Sequence, residues 1–292
     1  MELLRSLIFV PGNRPNMLER ALGFNADVVM VDLEDSVPPA EKVNAREVAR
    51  EWVPRLRNQG HRVMVRVNSL DTGLTRDELE ALVSPDLSGI SLGKAESPQE
   101  LQDADELVTS LESAAGVEPG QVKLIPWIEN APAVMDPYRM ATASPRIIAI
   151  AFGAEDYTND IAVQRTDTGE EVYFARAQTA VAAHAARVAC LDSPFVGFRD
   201  PDGLREDIRV IRQMGYTGKF AIHPAQIDII NEEFTPTEEE VAYAKRVVDA
   251  FREAESVGRG SADLDGRMID VPVFKRAENL LDRMAAIESR SG

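Results

Sequence analysis

Three charged side chains each close an apolar run. Arg66 follows Val63-Met64-Val65, Glu129 follows Leu124-Ile125-Pro126-Trp127-Ile128, and Asp156 stands just beyond Ala149-Ile150-Ala151-Phe152-Gly153. Arginine offers a fixed charge and a fork of donors suited to a carboxylate or a developing enolate oxygen. Two carboxylates facing one pocket suit a hard divalent cation such as Mg2+, which takes oxygen ligands and keeps positions open for an oxygen-rich substrate. Zinc is disfavoured, because histidine is scarce and there is one cysteine. Ion pairing and acid–base work suit the same carboxylates, and a salt bridge suits Arg66, so residue types alone leave those readings open.

Other charged groups lie near the same tips. In Val31-Asp32-Leu33-Glu34-Asp35-Ser36 strand alternation puts Asp32 and Glu34 on one face, while Asp35 begins the loop. Lys94 closes a fourth run; a Schiff base is chemically open to it, but a structural or electrostatic role is the better reading. His223, directly before Pro224, reads as a packed residue rather than a catalyst, and Cys190, between Ala189 and Leu191, as core packing. Arg5, Arg14 and Arg20 flank the first run and the helix after it, a basic patch that suits a phosphate or is simply solvated.

The elements that must position these groups alternate short apolar runs with amphipathic stretches, the rhythm of parallel βαβ units. Strands are expected over 6–11, 27–33, 62–68, 89–94, 122–128, 147–153, 189–194 and 218–223. Helices are expected over 14–24, 42–58, 75–83, 98–115, 172–188 and 201–214. Eight strands predict a (β/α)8 TIM barrel, which gathers its chemistry at the C-terminal strand tips. Thr75 with Glu78 has capping-box spacing, and Ser97-Pro98 reads as an N-cap followed by proline at the first helical position. An open doubly wound sheet is the rival, but Phe9-Val10-Pro11-Gly12-Asn13 is not its glycine-rich fingerprint. Residues 1–235 are expected to form the barrel and 236–292 a helical extension, with helices over 237–254 and 272–287 around a Gly/Ser-containing hinge at 256–261. That arm reads equally as a lid for a neighbouring subunit or as a helix packed on its own barrel.

At 292 residues with a formal net charge of −17, the chain is repelled at long range by nucleic acid and by anionic membranes. No apolar run is long enough to span a bilayer and no cleavable signal pattern precedes the first strand, so a cytoplasmic location is expected.

Six segments, in order over nearly the whole chain, carry a family resemblance. They are Phe9-Val10-Pro11-Gly12-Asn13-Arg14-Pro15, Val31-Asp32-Leu33-Glu34-Asp35-Ser36-Val37, Arg66-Val67-Asn68, Gly153-Ala154-Glu155-Asp156, the run from Gly218 to Gln226, and Asp265-Gly266-Arg267-Met268-Ile269-Asp270. Together they resemble the citrate lyase β-subunit-like group of the HpcH/HpaI aldolase superfamily, which includes malyl-CoA, citramalyl-CoA and related CoA-ester lyases. The resemblance implies a Mg2+-dependent barrel enzyme, with Mn2+ as the alternative ion, usually a homotrimer or hexamer. Such an enzyme makes or breaks a carbon–carbon bond next to an acyl thioester, with a CoA thioester and a 2-oxoacid as partners.

By the same resemblance Glu129 and Asp156 bind the metal, Glu34 and Asp35 hold its waters, and Arg66 stabilises the thioester enolate. The backbone at Glu155-Asp156 meets the oxoacid, while Phe9, Val10, Arg14, Arg20, Ala221 and Ile222 match positions lining the CoA-ester site. Asp270 matches an acid/base delivered from an adjacent subunit's C-terminal arm. Three outcomes fit this pattern: cleavage of malyl-CoA or citramalyl-CoA, action on a carrier-bound citryl thioester as a citrate lyase β subunit, and a malate-synthase-like or malyl-CoA thioesterase reaction. Asn130, where many relatives carry threonine, and Gly93, where proline is common, depart from the pattern and bear on the acceptor pocket.

Overall fold

In the computed structural model, which describes residues 3–166 and 168–291, the eight expected runs become eight parallel strands. These are β1 (Ser6–Pro11), β2 (Val28–Asp32), β3 (Val63–Val67), β4 (Gly89–Leu92), β5 (Lys123–Ile128), β6 (Ala149–Phe152), β7 (Ala189–Asp192) and β8 (Gly218–Ala221). They close in sequential order, with β8 pairing back to β1. The strands read as near-continuous apolar runs because both faces are covered: one by the barrel interior, the other by helices. Alternation assigns the faces, so Leu7, Met30, Met64, Trp127, Leu191 and Phe220 meet in the interior. Two residues further along the same strands, the inward positions become Phe9, Asp32, Arg66 and Glu129 at the C-terminal mouth.

The helices are α1 (Pro15–Ala21), α2 (Lys42–Asn58), α3 (Thr75–Leu82), α4 (Pro98–Ala115), α5 (Ala131–Met135), α6 (Pro137–Ala141), α7 (Ala154–Asp160), α8 (Glu170–Ala186), α9 (Pro201–Met214), α10 (Ala225–Phe234), α11 (Glu238–Ser256) and α12 (Val271–Ser291). Sequence periodicity did not reveal α5, α6, α7 or α10. The first three are single turns or little more, too short for a hydrophobic period to register. Ser97 is the N-cap of α4 and Pro98 its first residue, as expected, although the Ser97 hydroxyl donates to Glu100 Oε1 at 3.0 Å. The Thr75–Glu78 capping box does not form. Leu74 takes the N-cap position, Thr75 Oγ1 donates to the carbonyls of Asn68 and Ser69, and Glu78 accepts from the Asn68 backbone N–H at 2.8 Å. Both side chains thus serve the tip of β3 rather than the helix end.

At the base of the barrel, the N-terminal end of its strands, Arg146 anchors a closed ion network. Its Nη1 and Nη2 donate to Glu112 Oε1 and Oε2 at 2.9 and 2.6 Å, and its Nε bonds Asp105. The remaining valences are also met: Nη2 reaches Thr109 Oγ1 at 2.6 Å and Nη1 the Val122 carbonyl at 3.1 Å. Glu112 accepts from the Gly120 and Val122 backbones as well. Burial works to raise both carboxyls, yet the Ser144 hydroxyl, which donates to Asp105 Oδ2 at 2.7 Å, and Arg146 hold Asp105 below its ordinary value, and Arg146 with the two backbone donors does the same for Glu112.

The described chain divides into two units, residues 4–231 with the barrel, and residue 3 together with residues 232–291. In the second unit α11 and α12 enclose a small core of Ala244, Val247, Val248, Phe251, Ile269 and Ala277, with Phe251 stacked on Phe274 at 4.7 Å. Thr237 and Glu240 make the reciprocal bonds of a capping box at the start of α11. A hairpin that the periodicity did not show, β9 (Ala262–Leu264) and β10 (Arg267–Ile269), precedes α12. Its signal was present: Asp265-Gly266, both at positive φ (55° and 74°), is the two-residue turn whose twist suits a hairpin.

Candidate active site

Asp32 and Arg66 are in-register partners on β2 and β3, and both point inward. Arg66 Nε and Nη2 each donate at 2.7 Å to the two Asp32 oxygens, the bidentate fork that only arginine supplies. Its Nη1 donates to Asp35 Oδ2 at 3.1 Å and lies 3.2 Å from Glu34 Oε2. Below the guanidinium, 4.4 Å away, is the ring of Phe9, itself stacked on Phe220 at 4.9 Å. Burial would raise the Asp32 carboxyl, but its bonds to Arg66 outweigh that and hold it low. Asp32 also accepts from the Glu34 and Ser36 backbones at 2.9 and 3.2 Å, which bends the chain after β2 and brings Glu34 back over the mouth.

Glu129, 5 % exposed, extends from the end of β5 between two glycines. A Cβ on Gly93 would lie 2.7 Å from Glu129 Oε1, and one on Gly153 would lie 2.6 Å from the Glu129 Cβ and overlap Oε2. A side chain at Gly153 is therefore incompatible with this rotamer. The Lys94 backbone N–H donates to Glu129 Oε1 at 2.6 Å. Asp156 stands in the first turn of α7, directly after β6. Burial, then the charges of Asp156 and Glu34, push the Glu129 carboxyl up to about 8. Burial likewise raises Glu34 and Asp156; Arg66 and Lys94 pull the other way without cancelling the rise, to which Asp35 adds.

Lys94 reaches into the same cluster, its Nζ lying 2.9 Å from Glu34 Oε1 and 3.2 Å from Asp35 Oδ1. Burial favours the neutral amine, but Glu34 and Asp35 prevail and raise its pKa, so Lys94 stays an ammonium and is unsuited to Schiff-base chemistry. Arg66 and Lys94 stand among Asp32, Glu34, Asp35, Glu129 and Asp156, with Lys42 behind them, and the upward shifts of Glu34, Glu129 and Asp156 record burial together with the surplus of negative charge.

Among the described residues no three His, Cys, Asp or Glu side chains already converge as a metal cage. The two cationic side chains stand among the carboxylates instead. The donor set still fits a hard divalent cation: it is oxygen only and carries surplus charge. The glycine cradle leaves the Glu129 carboxylate open, and buried Glu34 Oε1 makes no hydrogen bond of good geometry, despite its ion pair with Lys94.

A further layer fixes the tips. Lys42 Nζ donates at 2.8 Å to each of Leu33 O, Glu34 O and Asn68 Oδ1. Asn68 Nδ2 donates to Leu33 O at 2.9 Å and also to Glu78. This Lys42–Asn68–Glu78 lattice ties the loop carrying Glu34 and Asp35 to the strand end carrying Arg66.

The structure brings together Arg66, Glu34, Asp35, Glu129 and Asp156, with Phe9 beneath them. Val10 alternates away from Phe9 and is buried, so only its backbone faces the mouth. Arg14 caps the start of α1 and Arg20 lies in its last turn, both exposed. Arg5 does not join them: it bonds Asp27 in front of β2, at the N-terminal end of the strands. Ala221 ends β8, and the half-exposed Ile222 donates its N–H to Gln226 Oε1 at 2.9 Å. The Glu155 side chain points to Arg165 at 3.3 Å. Asp270 belongs to the C-terminal unit, where its Oδ1 accepts from the Val273 N–H at the start of α12. Sequence reasoning had not assigned Asp32 its fork with Arg66, nor Lys42, Asn68 and Glu78 their lattice; aligning the second and third strands tip to tip would have found the first.

Residues 5–224 match the family described as HpcH/HpaI aldolase/citrate lyase. The chain is 36 % identical over 279 residues to citrate lyase subunit beta of Leuconostoc mesenteroides subsp. cremoris, covering 96 % of this chain and 92 % of that protein. It is 30 % identical over 297 residues to the mitochondrial citramalyl-CoA lyase of Homo sapiens, covering 98 % and 87 %. Among solved structures it resembles protein CitE from Mycobacterium tuberculosis in complex with magnesium, acetoacetate and coenzyme A. There the TM-score is 0.77 at 27 % identity, over 96 % of this chain and 97 % of that one.

Proposed function

The chain belongs to the HpcH/HpaI aldolase/citrate lyase family and is a carbon–carbon lyase; we propose that its barrel mouth performs Mg2+-dependent cleavage, or formation, of a 3-hydroxyacyl-CoA such as malyl-CoA or citramalyl-CoA. The observation that carries this reading is the surplus of carboxylate around Glu129, whose carboxyl is pushed up to about 8. Bound there, Mg2+ supplies Lewis acidity that makes a substrate hydroxyl easier to deprotonate. Glu129 and Asp156 hold the ion in this reading, with Glu34 and Asp35 on its waters and Mn2+ as an alternative.

Arg66 does the work at the thioester. Asp32 fixes the guanidinium plane through Nε and one N–H of Nη2, and Nη1 turns to Asp35 and Glu34, so the second N–H of Nη2 is the donor assigned to the carbonyl oxygen as it gains enolate charge. The aromatic floor of Phe9 and Phe220 keeps water from beneath that charge. Asp270 then gives a proton to the enolate carbon, releasing the acyl-CoA and a 2-oxoacid; in condensation it removes that proton. We assign Asp270 to the arm of a neighbouring subunit in a homotrimer or hexamer, with residues 236–292 acting as a lid. Arg14 and Arg20, with Phe9, the Val10 backbone, Ala221 and Ile222, are the proposed contacts of the CoA ester, and the Glu155-Asp156 backbone those of the oxoacid. A cytoplasmic setting belongs to the same proposal, and no helix among the described residues is long and apolar enough to cross a membrane.

The higher identity to the citrate lyase subunit than to the citramalyl-CoA lyase favours a second reading, a subunit acting on a carrier-bound citryl thioester. A panel of malyl-, citramalyl- and citryl-CoA and a citryl thioester on an acyl-carrier protein, each with Mg2+ and followed by mass spectrometry, separates the two. Acyl-CoA and 2-oxoacid from a free CoA ester support the first. Turnover confined to a carrier-bound thioester supports the second, and release of free CoA alone points to a thioesterase and contradicts both.

A further inference from the structure

Lys94 has a left-handed backbone, φ 60°, uncommon for a residue with a long side chain. This conformation sends the two ends of one residue to different carboxylates. The backbone N–H meets Glu129 Oε1 at 2.6 Å, on the tip of β5. The ammonium meets Glu34 Oε1 at 2.9 Å and Asp35 Oδ1 at 3.2 Å, beyond the tip of β2.

The two cations of the mouth are held very differently. Arg66 is clamped through two atoms by Asp32 and packed over Phe9, with its side chain 14 % exposed. The Lys94 side chain is 40 % exposed and meets carboxylates through its terminal ammonium. With an ion on Glu129 and Asp156 and its waters on Glu34 and Asp35, an ammonium on those same two carboxylates would compete with the waters and stand one water layer from a divalent charge, where like charges still repel strongly.

We propose that Lys94 is a built-in counter-ion: its ammonium holds Glu34 and Asp35 in the cation-free protein and is displaced toward solvent when a divalent cation enters, so that Lys94 sets the cation affinity of the mouth. This rests on the cation reading above. The carboxylates are thereby kept apart and paired until the ion arrives, and the freed ammonium comes to lie at the rim, on the side from which an anionic substrate approaches.

Calorimetric titration with MgCl2 alone, on wild type and Lys94→Met, tests the affinity. Amine acetylation of Lys94, read by mass spectrometry with and without Mg2+, tests the displacement on the unaltered protein. We expect Lys94→Met to bind Mg2+ at least about tenfold more tightly, from removal of a like charge at short range, and acetylation of wild-type Lys94 to rise severalfold when Mg2+ is added. Unchanged or weaker binding by Lys94→Met, with wild-type binding intact, overturns the proposal. So does wild-type acetylation that stays level or falls. If neither protein binds Mg2+, the cation reading itself fails and takes the counter-ion role with it.

Discussion

At the base of the barrel Arg146 divides its guanidinium between Asp105 and Glu112, whereas at the mouth Arg66 faces Asp32, Glu34 and Asp35, with Glu129 and Asp156 close by. The ingredients are alike, a buried arginine among carboxylates, but the shifts run in opposite directions. Asp105 and Glu112 are held below their ordinary values, while Glu34, Glu129 and Asp156 are pushed above theirs. A closed network in which each polar atom has a partner adds to stability and has no valence left for a ligand. An open one stores repulsion that an added cation relieves, and in a (β/α)8 barrel such sites belong at the C-terminal face.

The largest effect expected from breaking this contrast is at Glu129. Glu129→Gln, or Asp156→Asn, should reduce Mg2+-dependent cleavage to background, while the cation-free protein melts at the same temperature as wild type or higher, because repulsion has been removed. Activity and thermal melting in EDTA check the two halves separately. Next is Arg66→Lys, which keeps the charge but loses the fork to Asp32; we expect kcat to fall about 10²- to 10³-fold, the usual cost of a lost oxyanion donor. Steady-state kinetics on a cleaved thioester measure it.

Arg146→Met reverses the pattern. It leaves Glu112 buried without its partner and should lower stability by about 3–5 kcal/mol, with kcat per folded molecule unchanged, as denaturant titration and active-site counting would reveal. The smallest effect is a difference in slope with pH. The base carboxyls are depressed, so their stabilisation is present above about pH 4 and is lost as pH falls through their lower folded-state values. At the mouth Glu34, Glu129 and Asp156 are raised, so in EDTA their contribution is present below about pH 4 and is lost as pH rises, through about 8 for Glu129. Melting curves across pH for wild type, Arg146→Met and Glu129→Gln should show each variant losing one slope and keeping the other.

Much of the mouth was legible in the sequence because strand tips are: an apolar run that ends in a charge identifies both the strand and the end of it that faces the pocket. All eight strands were legible from the alternation of apolar runs with amphipathic stretches, and Arg66, Glu34, Asp35, Glu129 and Asp156 do meet. What escaped depends on pairing between segments far apart in the chain. The fork from Arg66 to Asp32 needs the register of β2 against β3, and the glycine cradle needs Gly93 and Gly153 to be seen flanking a side chain from β5. Thr75 and Glu78 misled for the opposite reason. Their local spacing satisfied a capping rule, but Asn68 at the tip of β3 competes for the same bonds and wins. Asp270 remains a role carried by resemblance, resting on its place before α12 in the C-terminal unit.

The central claim is that the open, negatively charged mouth, and not the closed base, is where a divalent cation supports carbon–carbon cleavage. Its most direct test is the Mg2+ dependence of thioester cleavage by wild type, Glu129→Gln and Arg146→Met, each normalised to folded protein and followed from EDTA to saturating Mg2+. The account predicts that wild type and Arg146→Met rise together from a negligible rate in EDTA, while Glu129→Gln stays at background at every Mg2+ concentration. Cleavage by Glu129→Gln at the wild-type rate, or wild-type cleavage undiminished in EDTA, would contradict it.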